Sequence, residues 1–453
     1  MAIKQLEVQD IREVLQDAIA ERKPDRVRDV LRQAAPDDAA RALDALAPLE
    51  LATVVTLLGD EQLADLLENF DRVEAARLLL KLSRSQAADV LEEMDPDDAV
   101  DVVEELGPSA AEAILIEMEP PEAQDIRELM AYPPESAAGL MTQEVVTLNP
   151  DLTAEQALVA IRRVAQEAET IYYVYVTDHA GKLLGVLALR DLVLAAPNTP
   201  ISQLTRRDLV KVRADADREV AARLLTDRGL LAIPVVDEND RLLGIITADD
   251  VADVLEEEAT EDITRLGGSE PLDEPYLHSS VVTLVRKRVV WLLLLFIGGA
   301  LTSNVLHHFA TTLDQVVALT FFIPLLIGTG GNVGSQIVTT LVRAIGVGEV
   351  RLQDLPRVLR KEFVVALLIG TVMAVAAFIR SWTLGVEWQL GMVVAVTACF
   401  IVLWAATVSA VIPLILRKMG VDPAVVSAPF LSTLVDATGL FIYLTIARVM
   451  LGI

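Results

Sequence analysis

A single carboxylate in an apolar segment is the residue with the clearest potential for chemistry. Asp436 is the only charged side chain between Asp422 and Arg448. That run is long enough to cross a bilayer, because a spanning helix needs about 20 mostly apolar residues. A charge inside a bilayer is costly, so such residues usually face a protein interior or a water-filled path. Asp436 therefore indicates a cation site.

A glycine-rich run lies in a second apolar segment. After Pro324, residues 328–336 read GTGGNVGSQ, which matches neither the P-loop nor the dinucleotide-binding pattern. We expect unwound backbone that lines a polar cavity; close packing of small residues is the alternative. We expect this cavity to be a pore beside Asp436. The residues predicted to line it, from this run and from the segment of Asp436, are Gly328, Gly330, Gly331, Asn332, Gln336, Ser432 and Thr433.

Carboxylates are dense in a third segment, residues 249–262, which reads DDVADVLEEEATED. Like charges three or four residues apart weaken a helix. They are tolerated on a solvated face, and tolerated better where divalent ions bridge them to a partner. The sequence contains no EF-hand loop and no His/Cys cluster, so we do not expect a preformed metal cage.

Composition divides the 453 residues into two parts. The net charge is −28, but the chain from Arg286 onward holds 12 basic and 7 acidic residues, which leaves −33 on the first 285. Such an acidic surface argues against a nucleic-acid partner. The single Cys399 excludes a disulfide framework. The amphipathic, charged start does not resemble a signal peptide, so we expect the acidic part in the cytoplasm.

The elements that position these residues begin with a twelve-residue repeat over residues 1–130. Apolar residues recur at helical spacing, prolines mark the starts of the units, and Asp71, Ser83 and Asp95 precede helices as N-caps. The repeat predicts short helices stacked as an α-solenoid. Most of its acidic residues, including Asp97 and Asp98, are interpreted as a solvated face.

A different repeat occupies residues 138–200 and 201–262. Val176, Asp178 and Gly185 recur 59 residues later, and each copy predicts a βαββα unit. The pattern resembles a tandem pair of CBS domains, whose clefts often bind adenine nucleotides. That resemblance makes Tyr173, Arg190 and Asp191 the candidates for binding a nucleotide such as ATP. It also places a ribose-binding Asp at Asp250, although an Asp that begins a helix is commonly a cap.

Residues 286–453 predict five membrane spans. Hydrophobic runs lie near 288–306, 315–342, 362–383, 390–416 and 424–447. Basic clusters precede the first span and fill the second-to-third and fourth-to-fifth connections. The positive-inside rule therefore places the N-terminus in the cytoplasm and the C-terminus outside.

This order of parts is similar to the MgtE family of magnesium channels and transporters over the whole chain. PLLIGTGGNVGSQ and DP...PFLSTLVDATGL resemble that family's signatures. The resemblance implies a multidomain fold: a cytosolic α-solenoid, an α/β tandem CBS pair and a five-helix all-α transmembrane domain. It further implies a homodimer in a prokaryotic plasma membrane, Mg²⁺ held by Asp436, and a connecting or plug helix over residues 263–285.

The same resemblance implies regulatory Mg²⁺ sites. The corresponding positions are Asp65, Asp97, Asp101, Glu219, Asp250, Asp253, Glu258, Glu261, Asp262 and Asp422. Gly229 departs from the family pattern, where a further acidic ligand is expected.

The implied function is a Mg²⁺-selective channel that imports magnesium and is closed by cytosolic Mg²⁺. A proton- or sodium-coupled divalent cation transporter and a membrane-anchored nucleotide sensor are the alternatives. An enzyme is not expected, because no nucleophile–base pairing or catalytic metal cluster is evident in the sequence.

Overall fold

The computed structural model describes residues 8–165, 168–272, 276–277 and 279–453. The chain divides into two compact units, Met1–Glu256 and Glu257–Ile453. Each unit is described by itself below.

The first unit begins with short helices that follow the twelve-residue repeat. Prolines occupy the first turn of six of them, where the missing N–H costs nothing. Apolar residues that recur every twelve positions are buried, among them Ala39, Leu51, Leu63, Ala75, Ala87, Ala99, Ala111 and Ala123. The helices are α1 Val8–Ala20, α2 Pro24–Gln33, α3 Pro36–Asp44, α4 Pro48–Leu58, α5 Asp60–Leu67, α6 Arg72–Leu79, α7 Arg84–Glu92, α8 Pro96–Glu105, α9 Pro108–Leu115 and α10 Pro120–Leu129.

Two of the three predicted N-caps are confirmed. Asp71 accepts hydrogen bonds from the backbone N–H groups of Val73 and Glu74, and the Ser83 hydroxyl accepts one from Gln86. Asp95 holds the N-cap position of α8, but its side chain makes no capping bond. Its carboxylate is instead directed to Glu169, in the loop before β2 (Thr170–Thr177).

The 59-residue repeat forms two small sheets of the same topology. In each, the first two strands are parallel and the last two antiparallel. Val176 pairs with Gly185 and Val235 with Gly244, so the register repeats as well. The elements are β1 Val145–Leu148, α11 Ala154–Val164, β2 Thr170–Thr177, β3 Leu183–Ala188, α12 Leu189–Leu194, α13 Ile201–Leu204, β4 Val212–Arg213, α14 Arg218–Arg228, β5 Ala232–Val236, β6 Leu242–Thr247 and α15 Ala248–Leu266.

The solenoid and the second sheet share one core. Ile233, Val235 and Ile246 belong to the same buried apolar cluster as the solenoid side chains, as do Val251 and Val254 of α15. Burial of these apolar surfaces stabilises the contact. The start of α15, with its carboxylates, is thereby held beside the solenoid.

Among its described residues, the second unit contains five helices that are long and apolar enough to cross a membrane. Short 3₁₀ segments, at Val317–Phe322, Leu352–Asp354 and Pro423–Val425, precede three of the helices. The α-helices are α16 Val281–His308, α17 Ala310–Gln315, α18 Ile323–Gly346, α19 Leu355–Thr383, α20 Trp388–Lys418 and α21 Ala428–Leu451.

The expectation of unwound backbone over residues 328–336 is wrong, because α18 is a continuous helix there. Its glycines let neighbouring helices approach closely. A Cβ on Gly330 would lie 2.6 Å from Ile401 Cγ2 on α20 and 2.8 Å from Val435 Cγ1 on α21. Small-residue packing, the alternative, is therefore what this run provides.

The connection between the two parts differs from the predicted helix over residues 263–285. The acidic helix α15 continues to Leu266, and the next helix starts at Val281. The described residues between them are not helical. Gly268 adopts a left-handed φ of +73° and Pro271 follows, which is a usual way for a helix to stop.

Candidate metal sites

Three carboxylates meet where α8 begins. The candidate ligand oxygens of Glu68, Asp95 and Asp98 all lie within 4.8 Å of one another. Glu68 follows α5, and its Oε1 accepts a 3.0 Å hydrogen bond from the Asp95 backbone N–H, which fixes the two segments together. We call these three residues the acidic cluster.

More carboxylates surround the acidic cluster. Their charges interact electrostatically with those of the cluster. They are Asp97 and Asp101 of α8, Glu169 before β2, and Asp249 and Asp250 of α15. Asp97 Oδ1 is buried with no hydrogen-bond partner. Oxygen atoms of this kind are the ligands that hard divalent cations take.

Burial and mutual repulsion disfavour ionisation here. Burial, and then the charges of Asp250 and Glu68, raise the pKa of Asp98 to about 8. Burial, followed by the charge of Asp95, raises the pKa of Glu169 to about 8 as well. At neutral pH this region therefore holds protons or needs a cation, and a divalent cation would replace those protons.

Asp250 has a second role as a helix cap. Its Oδ2 accepts hydrogen bonds from the Thr247 hydroxyl at 2.6 Å and from the Thr247 backbone N–H at 3.2 Å. Burial raises the pKa of Asp250 to about 6 despite these bonds. The capping bonds hold the carboxylate in place beside α8.

The structure unites only part of the predicted regulatory set. Asp97, Asp101 and Asp250 lie around the acidic cluster, and the charge of Asp65 acts on its members Glu68 and Asp95. Asp65 is also exposed and 3.6 Å from Arg32. Glu219 forms an ion pair with Arg223. Asp253 is exposed, and Glu258 and Asp262 are half-buried on the last turns of α15. Glu261, on the same turns, and Asp422 both form ion pairs with Arg265.

The sequence interpretation missed the acidic cluster itself. Asp95 and Asp98 were expected on a solvated face, and so was Asp97 apart from its place in the family's regulatory set, but all three are half-buried. Glu68 and Glu169 were not singled out. A repeat shows which face of a solenoid helix points inward, but it carries no information about which outer face another domain covers.

The intramembrane carboxylate lies on α21 against α18. Asp436 Oδ1 is buried without a hydrogen-bond partner. A Cβ on Gly331 would lie 3.6 Å from this oxygen and 2.5 Å from Ser432 Oγ, so only glycine allows this approach. The Thr433 hydroxyl is used within its own helix, where it donates to the Pro429 carbonyl at 2.9 Å.

The other predicted pore residues lie on a different face of α18. Gly328, Asn332 and Gln336 are exposed and spaced by four residues, whereas Gly330 and Gly331 are buried. A polar stripe on a spanning helix is unfavourable against lipid. This face therefore requires water or another protein surface beside it.

Two of the three nucleotide candidates share a cavity. Tyr173 and Arg190 of the first copy of the CBS-like repeat line a cavity of about 600 Å³, together with Tyr172 and with Leu231 of the second copy. The Asp191 carboxylate is already engaged by another side chain, since its Oδ2 accepts a 2.9 Å hydrogen bond from Arg206.

Comparison with known proteins gives one consistent answer. The family described as divalent cation transporter matches residues 323–446, the MgtE intracellular N domain matches 34–135, and CBS domains match 137–198 and 201–257. A magnesium transporter MgtE of Thermus thermophilus is 44% identical over 327 residues, which are 72% of each chain. The chain belongs to the MgtE family of magnesium transporters.

Other MgtE relatives agree with this assignment. The Bacillus subtilis magnesium transporter MgtE is 37% identical over 71% of each chain. The crystal structure of the soluble part of a magnesium transporter is 31% identical, with a TM-score of 0.51, and the match covers 56% of this chain and all of that one. The predicted fold class, a helical domain and a CBS pair followed by five apolar helices, is confirmed.

Proposed function

We propose that this MgtE chain is a Mg²⁺-selective channel that imports magnesium and closes when cytosolic Mg²⁺ is abundant. The observation that carries the proposal is Asp436: one of its oxygens is buried without a partner, in an apolar helix, against a glycine that leaves room for it. A carboxylate kept in that setting has a functional reason. Mg²⁺ dehydrates reluctantly, so Asp436 would hold it with most of its water.

The conducting form is proposed to be a homodimer. The exposed polar stripe of Gly328, Asn332 and Gln336 would then line a water-filled path between two copies and not face lipid. The positions of the basic clusters support a cytoplasmic N-terminus and an external C-terminus. Two copies of Asp436 would give one path two carboxylates.

Gating is proposed to depend on the acidic cluster and its neighbours. Without divalent ions, Glu68, Asp95, Asp98 and Glu169 can stay close only while some of them hold protons, because their ionised forms repel one another. Mg²⁺ would neutralise them and favour the arrangement in which they are close. An ion shifts such an equilibrium only by its higher affinity for one state, so several weak sites acting together give a steep response.

The candidate nucleotide site is a separate proposal. The cavity beside Tyr173 and Arg190 offers an aromatic face and a cation, which suit an adenine nucleotide such as ATP. Asp191 would take part only if it were released from Arg206.

The pore proposal is tested by Mg²⁺ uptake into proteoliposomes. We expect Asp436→Ala to abolish selective Mg²⁺ uptake while the protein remains folded and dimeric. Glu387→Ala is the matched control, because Glu387 precedes α20 and makes no capping bond; we expect normal uptake. Undiminished, selective uptake by Asp436→Ala would remove Asp436 from the pore. Uptake that requires an imposed proton or sodium gradient would instead identify a coupled transporter.

A further inference from the structure

Within the second unit, an arginine joins the last turn of α15 to the loop before α21. Arg265 Nη1 donates a 2.7 Å hydrogen bond to Asp422 Oδ2, and the same guanidinium forms an ion pair with Glu261 one turn earlier. Arg265 therefore lies between two carboxylates that the family resemblance assigns to regulatory Mg²⁺.

Apolar contacts support this attachment. Leu266 packs against a buried cluster that includes Val338, Ala424 and Leu431. A Cβ on Gly268 would lie 2.7 Å from the Trp291 ring, and the Trp291 Nε1–H donates to the Ser427 hydroxyl at 3.1 Å. The end of α15 is thus in contact with the loop and the first turn that lead to Asp436 on α21.

The carboxylate of Asp422 does not fit an open divalent site. Its Oδ1 accepts a 2.8 Å hydrogen bond from the Ala424 backbone N–H, and its Oδ2 is bound to Arg265. A guanidinium satisfies two carboxylates through several N–H donors held in a fixed plane. A divalent ion could bridge Glu261 and Asp422 only after displacing it.

We propose that Arg265 is a positioning residue that takes the place of a divalent ion at this contact. The end of α15 is held to the loop before α21 by the guanidinium, whether or not Mg²⁺ is present. Mg²⁺ sensing is thereby left to carboxylates elsewhere. The inference rests on the proposed gating by Mg²⁺ only for its Mg²⁺ step.

The test measures access to Leu266 in the full-length protein in nanodiscs. Leu266→Cys is introduced in a Cys399→Ser background, and the rate of maleimide labelling is measured in EDTA and in millimolar Mg²⁺. With Arg265 present, we expect slow labelling that Mg²⁺ barely changes. With Arg265→Gln, we expect labelling in EDTA about fivefold faster, the scale of a half-exposed charged hydrogen bond. Mg²⁺ should then slow that labelling, because the two carboxylates are free to bind it.

Two further variants sharpen the comparison. Arg265→Lys should label at an intermediate rate, because one ammonium lacks the planar fork of donors. Arg357→Gln removes a similar arginine, paired with Asp354 at 3.0 Å, and should change nothing. Hydrogen exchange of residues 257–268 repeats the measurement without the added cysteine.

The proposal would be overturned if the cysteine at position 266 were labelled in EDTA at the same rate with Arg265 and with Arg265→Gln. A large slowing of that labelling by Mg²⁺ while Arg265 is present would also overturn it. Neither measurement depends on transport, so the proposed channel function can fail or hold independently.

Discussion

Two aspartates at the same repeat position have different surroundings. Asp38 and Asp98 each occupy the third position of a helix that begins with proline, 60 residues apart. Asp38 lies 3.9 Å from Arg41, whereas Asp98 faces Glu68, Asp95 and Asp250. Whether such a residue stabilises the fold or binds a cation is thus decided by its neighbours.

Replacing Asp98 with Asn is expected to stabilise the ion-free protein at alkaline pH. The ordinary pKa of this carboxyl is 3.8, and in the fold burial raises it to about 8. Its contribution to stability is therefore complete at acidic pH and is lost as the pH rises through 8. In EDTA at pH 9, Asp98→Asn should melt about 3 °C higher than the parent. Thermal melts of the full chain at pH 5 and pH 9 would measure this.

The control is Asp38→Asn, which should not melt at a higher temperature than the parent in EDTA at pH 9. Mg²⁺ should raise the melting temperature of the parent and of Asp38→Asn, but that of Asp98→Asn much less. A parent whose stability does not fall with pH, or an unchanged Mg²⁺ effect in Asp98→Asn, would argue against a cation site at the acidic cluster.

At the scale of elements, α18 has two faces with separate tasks. Gly330 and Gly331 permit contact with α20 and α21, and the opposite side presents Asn332 and Gln336. This one helix therefore carries both the face that packs against the other spans and the polar stripe. Tight packing on the first face also fixes the position of Asp436.

Alanine substitutions separate these faces. Gly330→Ala would push a methyl group into Ile401 and Val435, at a cost of about 1–3 kcal/mol. Gly328→Ala meets no atom within 4 Å and should be neutral or slightly stabilising, since alanine favours helices. We expect a loss of stability only for Gly330→Ala, measured by melting curves. Similar behaviour of the two variants would contradict the assigned packing face.

Several elements could be predicted from local patterns. The twelve-residue period gave the solenoid helices, and the 59-residue repeat gave two sheets with matching register. The acidic cluster could not be found this way, because Glu68 meets Asp95 and Asp98 only through packing between different helices of the solenoid. The glycine run was misjudged because glycines serve both unwound backbone and close helix contacts.

At the scale of the whole molecule, the chain keeps its two kinds of carboxylate in different parts of its sequence. Asp436 stands nearly alone among apolar residues, whereas the first 285 residues carry the charge of −33. A lone charge can hold a passing hydrated ion, and a crowded set responds steeply to ion concentration. In the proposed mechanism the first selects Mg²⁺ and the second controls when it passes.

The most direct test is the Mg²⁺ current through inside-out patches, recorded at two cytosolic Mg²⁺ concentrations with the driving force held equal. The account predicts that high cytosolic Mg²⁺ closes the parent channel, whereas Asp98→Asn combined with Asp250→Asn stays open. A parent current that is indifferent to cytosolic Mg²⁺, or a double variant that closes as the parent does, would contradict it.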